Sequence, residues 1–404
     1  MKKITAVLCT FALAASLTAC GIERPDLDTA AKDQAAGAAD LKKFDIKDNR
    51  ARADLSERFH IDAAISGNDA DKLSSYELTK FKMTEDEIAG QFFPGGGYNR
   101  EDRDTGAVEY TKEKETLYVQ FVDMSSMAIL NSPAVTYQQD KGTEYGAIMD
   151  YFWSDDTASD AGQEKAVELV KDKLDKLNVE YSDLTVFKMD HDTMNNYYSQ
   201  AVQWLKDIKE EAEADPGEEG YSYQADLYRQ GRYPDLDENF KFTAEDDCYI
   251  LKGYLLQKGL PVFDYHFQIV SIKAAVSSRG IEYLYVDNLY SAENPYAESS
   301  VVSVEQAVNS LYQAFDSSAL KDKTEVTVDE ISLAFMKQSS YDDSGSLGTF
   351  SSKTFIIPAW AVKYHTGEED PGSRTCIVSA ADGKLQDPGD YLFNTENHNV
   401  YKTE

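Results

Sequence analysis

The chain has 404 residues, 72 Asp and Glu against 40 Lys and Arg, and a formal charge of −32. Its cations are scattered among the acids with no basic patch, which excludes nucleic acid as a partner, since that binding rests on neutralising phosphates. With 26 Tyr and 18 Phe it is too aromatic for a disordered chain, and its length suggests two or three domains.

At the N-terminus, Met1-Lys2-Lys3 is a short basic start to an apolar run over residues 4–17. That run is shorter than the roughly 20 residues that span a bilayer. With small residues after it, it describes a secretory signal peptide, residues 1–19. Leu17-Thr18-Ala19-Cys20-Gly21 resembles the bacterial lipobox: an aliphatic residue, two small residues, then cysteine. The resemblance implies that the Cys20 thiol carries a diacylglyceryl group and becomes the first mature residue. Membrane lipid is then a partner, and the location is the extracytoplasmic face of the cell membrane. Each buried lipid methylene contributes about 0.8 kcal/mol and one chain holds only marginally, so the two or more chains of a lipoprotein cysteine give stable attachment. Cleavage discards Cys9, Lys2 and Lys3 and takes the charge to −34. No other apolar run of 18 residues occurs in the sequence.

Residues 20–55, rich in Ala, Asp and Lys, read as a lipidated tether; a flexible coil of about 30 residues spans roughly 30 Å. An N-terminal α+β region, 56–158, starts to fold near Phe59. Thr84-Glu85-Asp86-Glu87 is a capping box for a short helix ending before Pro94. Strands rich in β-branched and aromatic residues follow at 107–110, 116–122 and 134–138.

Residues 159–299 read as a first helix-on-sheet unit. Ala166, Val167, Val170, Leu174 and Leu177 fall at helical spacing after a cap at Asp160, and a strand follows at 184–189. A helical insertion is capped by Asp192 and runs out in Glu210-Glu211-Ala212-Glu213. Acid at a helix C-terminus opposes the macrodipole, so its last turn is expected to fray. Strands return at 248–257, 260–271 and 281–289, with Lys258-Gly259 as a turn. Residues 300–404 read as a second unit of the same plan: the box Ser303 to Gln306, a helical face of Val304, Ala307, Val308, Leu311 and Phe315, then strands at 326–336, 355–365 and 374–380. The fold class is α+β, with tandem helix-on-antiparallel-sheet units whose helices bury an apolar stripe on the sheet.

Pro358-Ala359-Trp360-Ala361-Val362 and Ile377-Val378-Ser379-Ala380-Ala381-Asp382-Gly383-Lys384-Leu385 resemble the closing hairpin of PepSY-like domains. They also resemble extracytoplasmic regulators of Gram-positive two-component systems, the YycH and YycI type. The whole layout is similar to lipoproteins of Gram-positive gut bacteria. The resemblance implies a regulatory, protein-binding role. Those regulators carry a transmembrane helix where this chain has a lipobox. Alternation puts Trp360 and Val362 on the bulkier apolar face, against Leu311 and Phe315 of the helix.

Reaction chemistry finds little support. His60, His191, His266, His365 and His398 form no metal-ligand spacing, there is no Gly-x-Ser-x-Gly elbow, and no cofactor motif stands out. Asp190-His191-Asp192 reads as a helix start, Asp235-Leu236-Asp237-Glu238-Asn239 as a solvated loop with Phe240 where a calcium loop needs glycine. Gly95-Gly96-Gly97 reads as a turn rather than a phosphate cradle. A disulfide between Cys248 and Cys376 is chemically permitted outside the cytoplasm; two separate buried thiols are the plainer reading. The sequence thus favours a non-enzymatic surface lipoprotein that binds another protein, with an envelope partner expected, or modulates an envelope process. A solute- or glycan-binding lipoprotein is the alternative, and an envelope hydrolase stands third.

Overall fold

The computed structural model describes residues 41–386 apart from 68, 104–105, 122–132, 150–160, 215–221, 232, 265–266, 269, 319–320, 343–350 and 368–369. The signal peptide, Cys20, most of the tether, Asp160, His266 and His398 lie outside the described residues. The class is α+β, dominated by strand at 43% against 28% helix.

The described chain divides into two compact units, and neither is one continuous stretch. One takes residues 81–255 and 270–289, the other 41–80, 256–269 and 290–386. The expected linear divisions at 158/159 and 299/300 therefore do not match the units. Long-range strand pairing sets them, and it leaves no local mark in a sequence.

In the first unit eight strands form one antiparallel sheet. Its order is Thr185–Met189, Cys248–Gly253, Ile272–Ser277, Gly280–Val286, Ala134–Gln138, Glu115–Gln120, Ala107–Lys112, Asn99–Asp102. Successive strand residues face opposite ways. Leu251, Ala274 and Val276 share a buried cluster with Ala166, Val170, Leu174 and Leu177 of helix Ala161–Leu177. Cys248, Ile250 and Ala275 share another with Met194 and Tyr198 of helix His191–Glu213 and Tyr145 of helix Gly142–Met149. Helices thus cover both sheet faces, which explains why Ile272–Ser277 shows no clean polar alternation.

The capping box is complete: Thr84 accepts from the Glu87 N–H and Glu87 accepts from the Thr84 N–H, opening helix Glu85–Phe92. The long helix departs from expectation at both ends. Its cap is Asp190, which accepts from the Thr193 N–H at 2.8 Å, while Asp192 sits exposed in the first turn. Its acidic end is fastened. Glu211 accepts from the Ser222 N–H at 3.0 Å, at the start of helix Tyr223–Arg229. Acid from one helix end thereby serves another helix's N-terminus, where the dipole favours it.

In the second unit strand Val326–Asp342 is central. Ser351–Thr366 pairs with it antiparallel and carries Asp370–Ser379 beyond, as expected. Phe59–Ser66 and Leu260–Asp264, however, run parallel to it, so this sheet is mixed rather than antiparallel. Parallel neighbours need long connections, here supplied by segments far apart in the chain. Lys258 and Gly259, both at positive φ, make the expected turn into Leu260–Asp264. Helix Val304–Ser317 buries Val304, Ala307, Val308, Leu311 and Phe315 with Trp360, Val362, Tyr364, Cys376 and Val378.

The fold starts earlier than the tether reading placed it. Ile46–Lys47 and Arg50–Ser56 are strands, and Ala51 and Leu55 are buried. Ala and charged residues are poor strand formers, so Arg50-Ala51-Arg52-Ala53-Asp54 imitates a linker in composition.

At Gly67, φ is +80° and an added Cβ would lie 2.5 Å from Leu333 Cβ. Gly67→Ala should cost about 2–4 kcal/mol in a urea titration, from strain plus overpacking. Gly259→Ala, at φ +76° with open space around it, should cost only about 1 kcal/mol.

Candidate functional site

Among the described residues an extended polar cluster lies in the first unit and is built from residues 141, 243–246 and 277–282. Thr243-x-x-Asp246 caps the short helix Ala244–Asp246, with the Thr243 N–H donating to Asp246 at 2.8 Å. Asp246 is fully buried; it accepts from Lys141 Nζ at 2.7 and 2.9 Å and from Arg279 at 2.9 Å. Arg279 also reaches buried Glu282 at 2.8 Å and the Glu245 carbonyl at 3.0 Å. Ser277 donates to Glu282, and Tyr145 donates to the Asp246 carbonyl at 2.9 Å. Burial pushes the Asp246 carboxyl up. Hydrogen bonds from Lys141, Thr243 and Arg279 outweigh that and hold it down to about 2.

Two cations thus meet two buried carboxylates. Both acids are committed, so the cluster acts as a brace between the hairpin of Ile272–Ser277 and Gly280–Val286 and the approach to helix Gly142–Met149. Sequence reasoning missed it because its members lie up to about 140 positions apart; the Thr-x-x-Asp spacing of residues 243–246 is the local signal that could have pointed to Asp246.

The residues singled out by sequence are dispersed. His60 lies between Asp54, 2.6 Å from Nδ1, and Glu325, 3.2 Å from Nε2. His365 meets Asp329 at 2.9 Å, and His191 meets Asp247 at 2.9 Å. The hydrogen bond to Asp247 raises the His191 pKa. Among the described residues no group of three or more His, Cys, Asp and Glu could hold a metal ion. In the 235–239 loop, Asp237 accepts from the Asn239 N–H at 2.9 Å and Glu238 pairs with Lys206 at 2.7 Å. Gly95-Gly96-Gly97 follows the C-terminus of helix Glu85–Phe92, the end whose dipole repels anions.

Cys248 and Cys376 are free thiols, each buried in the core of a different unit. Burial pushes the Cys248 thiol well up, so it stays protonated and unreactive at neutral pH. Trp360 is buried and its Nε1 donates to the Val302 carbonyl at 2.9 Å.

Large apolar side chains reach solvent at two places among the described residues: Trp204, 40% exposed, and Tyr296, 50% exposed. Each leans on a second ring, Trp204 on Tyr233 at 5.3 Å and Tyr296 on Phe355 at 4.8 Å between centroids. No described helix is long and apolar enough to cross a membrane.

The chain matches no protein-family model and no curated protein. Among solved structures it is similar to a crystal structure of an uncharacterised protein from Eubacterium rectale. That likeness has 11% identity over 90% of this chain and 99% of the other, at a TM-score of 0.43.

Proposed function

We propose that this is a surface lipoprotein, anchored through lipid on Cys20 at the extracytoplasmic face, whose folded body works by binding an envelope protein in a regulatory role. The lipobox-like Leu17-Thr18-Ala19-Cys20 carries the anchorage. For binding, the supporting observation is the pair of ring-backed exposed aromatics, Trp204 and Tyr296. Aromatic side chains held in place before contact give much of the energy of protein interfaces. The same rings would suit a sugar face, which keeps a solute- or glycan-binding lipoprotein as the second reading. We further propose that helix Ala161–Leu177 with its strands and helix Val304–Ser317 with its strands repeat one helix-on-sheet plan, the second being PepSY-like.

Cys20→Ala should abolish incorporation of labelled fatty acid and leave the precursor uncleaved or released; unchanged labelling removes the anchor from this reading. For the binding role, a photo-cross-linking residue at 296 or 204 in the native host should give one discrete protein adduct, competed by added purified chain. A rise in melting temperature with a sugar or other small solute, and no adduct, would favour the second reading, because a ligand stabilises the native state by mass action.

A further inference from the structure

Helix Val304–Ser317 carries an asparagine on its buried side. Asn309 is 2% exposed, in a helix interior where asparagine is a poor former and a buried amide must find partners. Its partners are largely the backbone of one residue far away in sequence. Asn309 Oδ1 accepts from the Lys42 N–H at 3.0 Å, and its Nδ2 donates to the Lys42 carbonyl at 2.9 Å and to Glu305 O at 2.7 Å. A primary amide offers one donor face and one acceptor face, which matches the N–H and C=O of a single residue of extended chain.

The rest of the segment is held in the same manner. Lys42 Nζ donates to the Tyr312 hydroxyl at 2.7 Å, lies 4.1 Å from that ring's centre, and also donates to the Leu55 carbonyl. Phe44 and Ile46 pack against the core beneath the helix, and Ile46 and Lys47 pair with Ala51 and Arg50. Phe44 and Ile46 alternate with exposed Lys43, Asp45 and Lys47, as the inward and outward residues of an extended peptide do.

We propose that this helix carries a docking site for an extended peptide, occupied in cis by residues 42–47, and that the pair forms a latch. Few bonds hold it, so it opens before the sheet does, releasing residues 42–47 without unfolding the unit. The latch does not rest on the proposed anchorage; fatty-acid labelling and amide exchange test the two separately.

Hydrogen exchange on the full chain decides it. The Lys42 amide should be protected in the wild type, yet exchange faster than those of Val326–Asp342. Asn309→Ala should speed the Lys42 amide by about tenfold, the worth of one to two hydrogen bonds, and leave Val326–Asp342 unchanged. Trypsin should then cut faster after Lys42 and Lys43. Lys42→Pro removes the donated N–H from the strap side and leaves the helix untouched. It should likewise speed trypsin cutting after Lys43, which keeps the test valid if Asn309→Ala fails to fold. An unprotected Lys42 amide in the wild type, or no faster cutting after Lys43 with Lys42→Pro, would overturn the latch.

Discussion

Replacing Trp360 with alanine is expected to lower the stability of its unit by about 3–5 kcal/mol, the usual cost of truncating a large buried aromatic. Trp360 is 1% exposed and shares its cluster with Val308, Leu311 and Phe315 of the covering helix. Its indole N–H also donates to the Val302 carbonyl, one residue before the helix cap Ser303. The side chain thus fills the space beneath the helix and ties down its start. Trp360→Phe separates the two contributions. It keeps most of the packing and leaves the Val302 carbonyl unpaired, so it should cost about 1–2 kcal/mol. Chemical denaturation followed by circular dichroism measures both. The native-state difference in fluorescence between wild type and Trp360→Phe isolates this residue and should be blue-shifted. A red-shifted difference, with a normal midpoint in the alanine variant, would mean that residue 360 faces solvent and is open to a ligand.

Local signals in the sequence carried far. The Thr84 and Ser303 caps, the stripe from Ala166 to Leu177 and the strands at 134–138 and 326–336 rest on spacings of a few residues, and the structure has them. The Ser303 box shows how far that goes. Ser303 does accept from the Gln306 N–H, but the Gln306 side chain turns to the Asp382 carbonyl instead of back to the cap. What failed was long-range. Nothing near Phe59 or Leu260 says that both strands lie parallel to Val326–Asp342. A turn fixes register between neighbours in sequence; it says nothing of a partner some 270 residues away. The charge brace was hidden for the same reason. Lys141, Asp246 and Arg279 each look like ordinary surface residues in a chain so rich in charge, and only folding brings them together. The asparagine at 309 was the subtler loss: a polar residue within an apolar helical face reads as a flaw until its partner, the backbone of Lys42, is in place.

Arg279 is the hinge of that brace, and Arg279→Met is expected to be among the most damaging single changes in the first unit. Its guanidinium serves Asp246 and Glu282 at once, at 2.9 and 2.8 Å, and both carboxylates are buried. Removing it leaves two acids inside the unit with Lys141 as the remaining cation. Breaking a buried pair by deleting one partner costs about 3–5 kcal/mol, because the other charge stays buried and uncompensated. The pH dependence identifies the cause. Asp246 is held at about 2 in the folded chain, below the roughly 3.9 of an unfolded aspartate. A depressed carboxylate stabilises the fold above its unfolded pKa, and that stability is lost as pH falls from about 4 toward 2. The contribution is about 2–3 kcal/mol. With Arg279 gone, Asp246 loses one of the groups that hold it down, so its folded pKa moves back toward the unfolded one. The variant should therefore start from lower stability at pH 7 and show a shallower acid loss between pH 4 and 2 than the wild type. Lys141→Met should weaken the same limb while sparing Glu282, at a smaller cost at pH 7. Urea midpoints from pH 2 to 7 test this directly. Parallel curves for wild type and Arg279→Met, offset by a constant amount, would show that Arg279 acts through packing alone and that Asp246 does not depend on its charge.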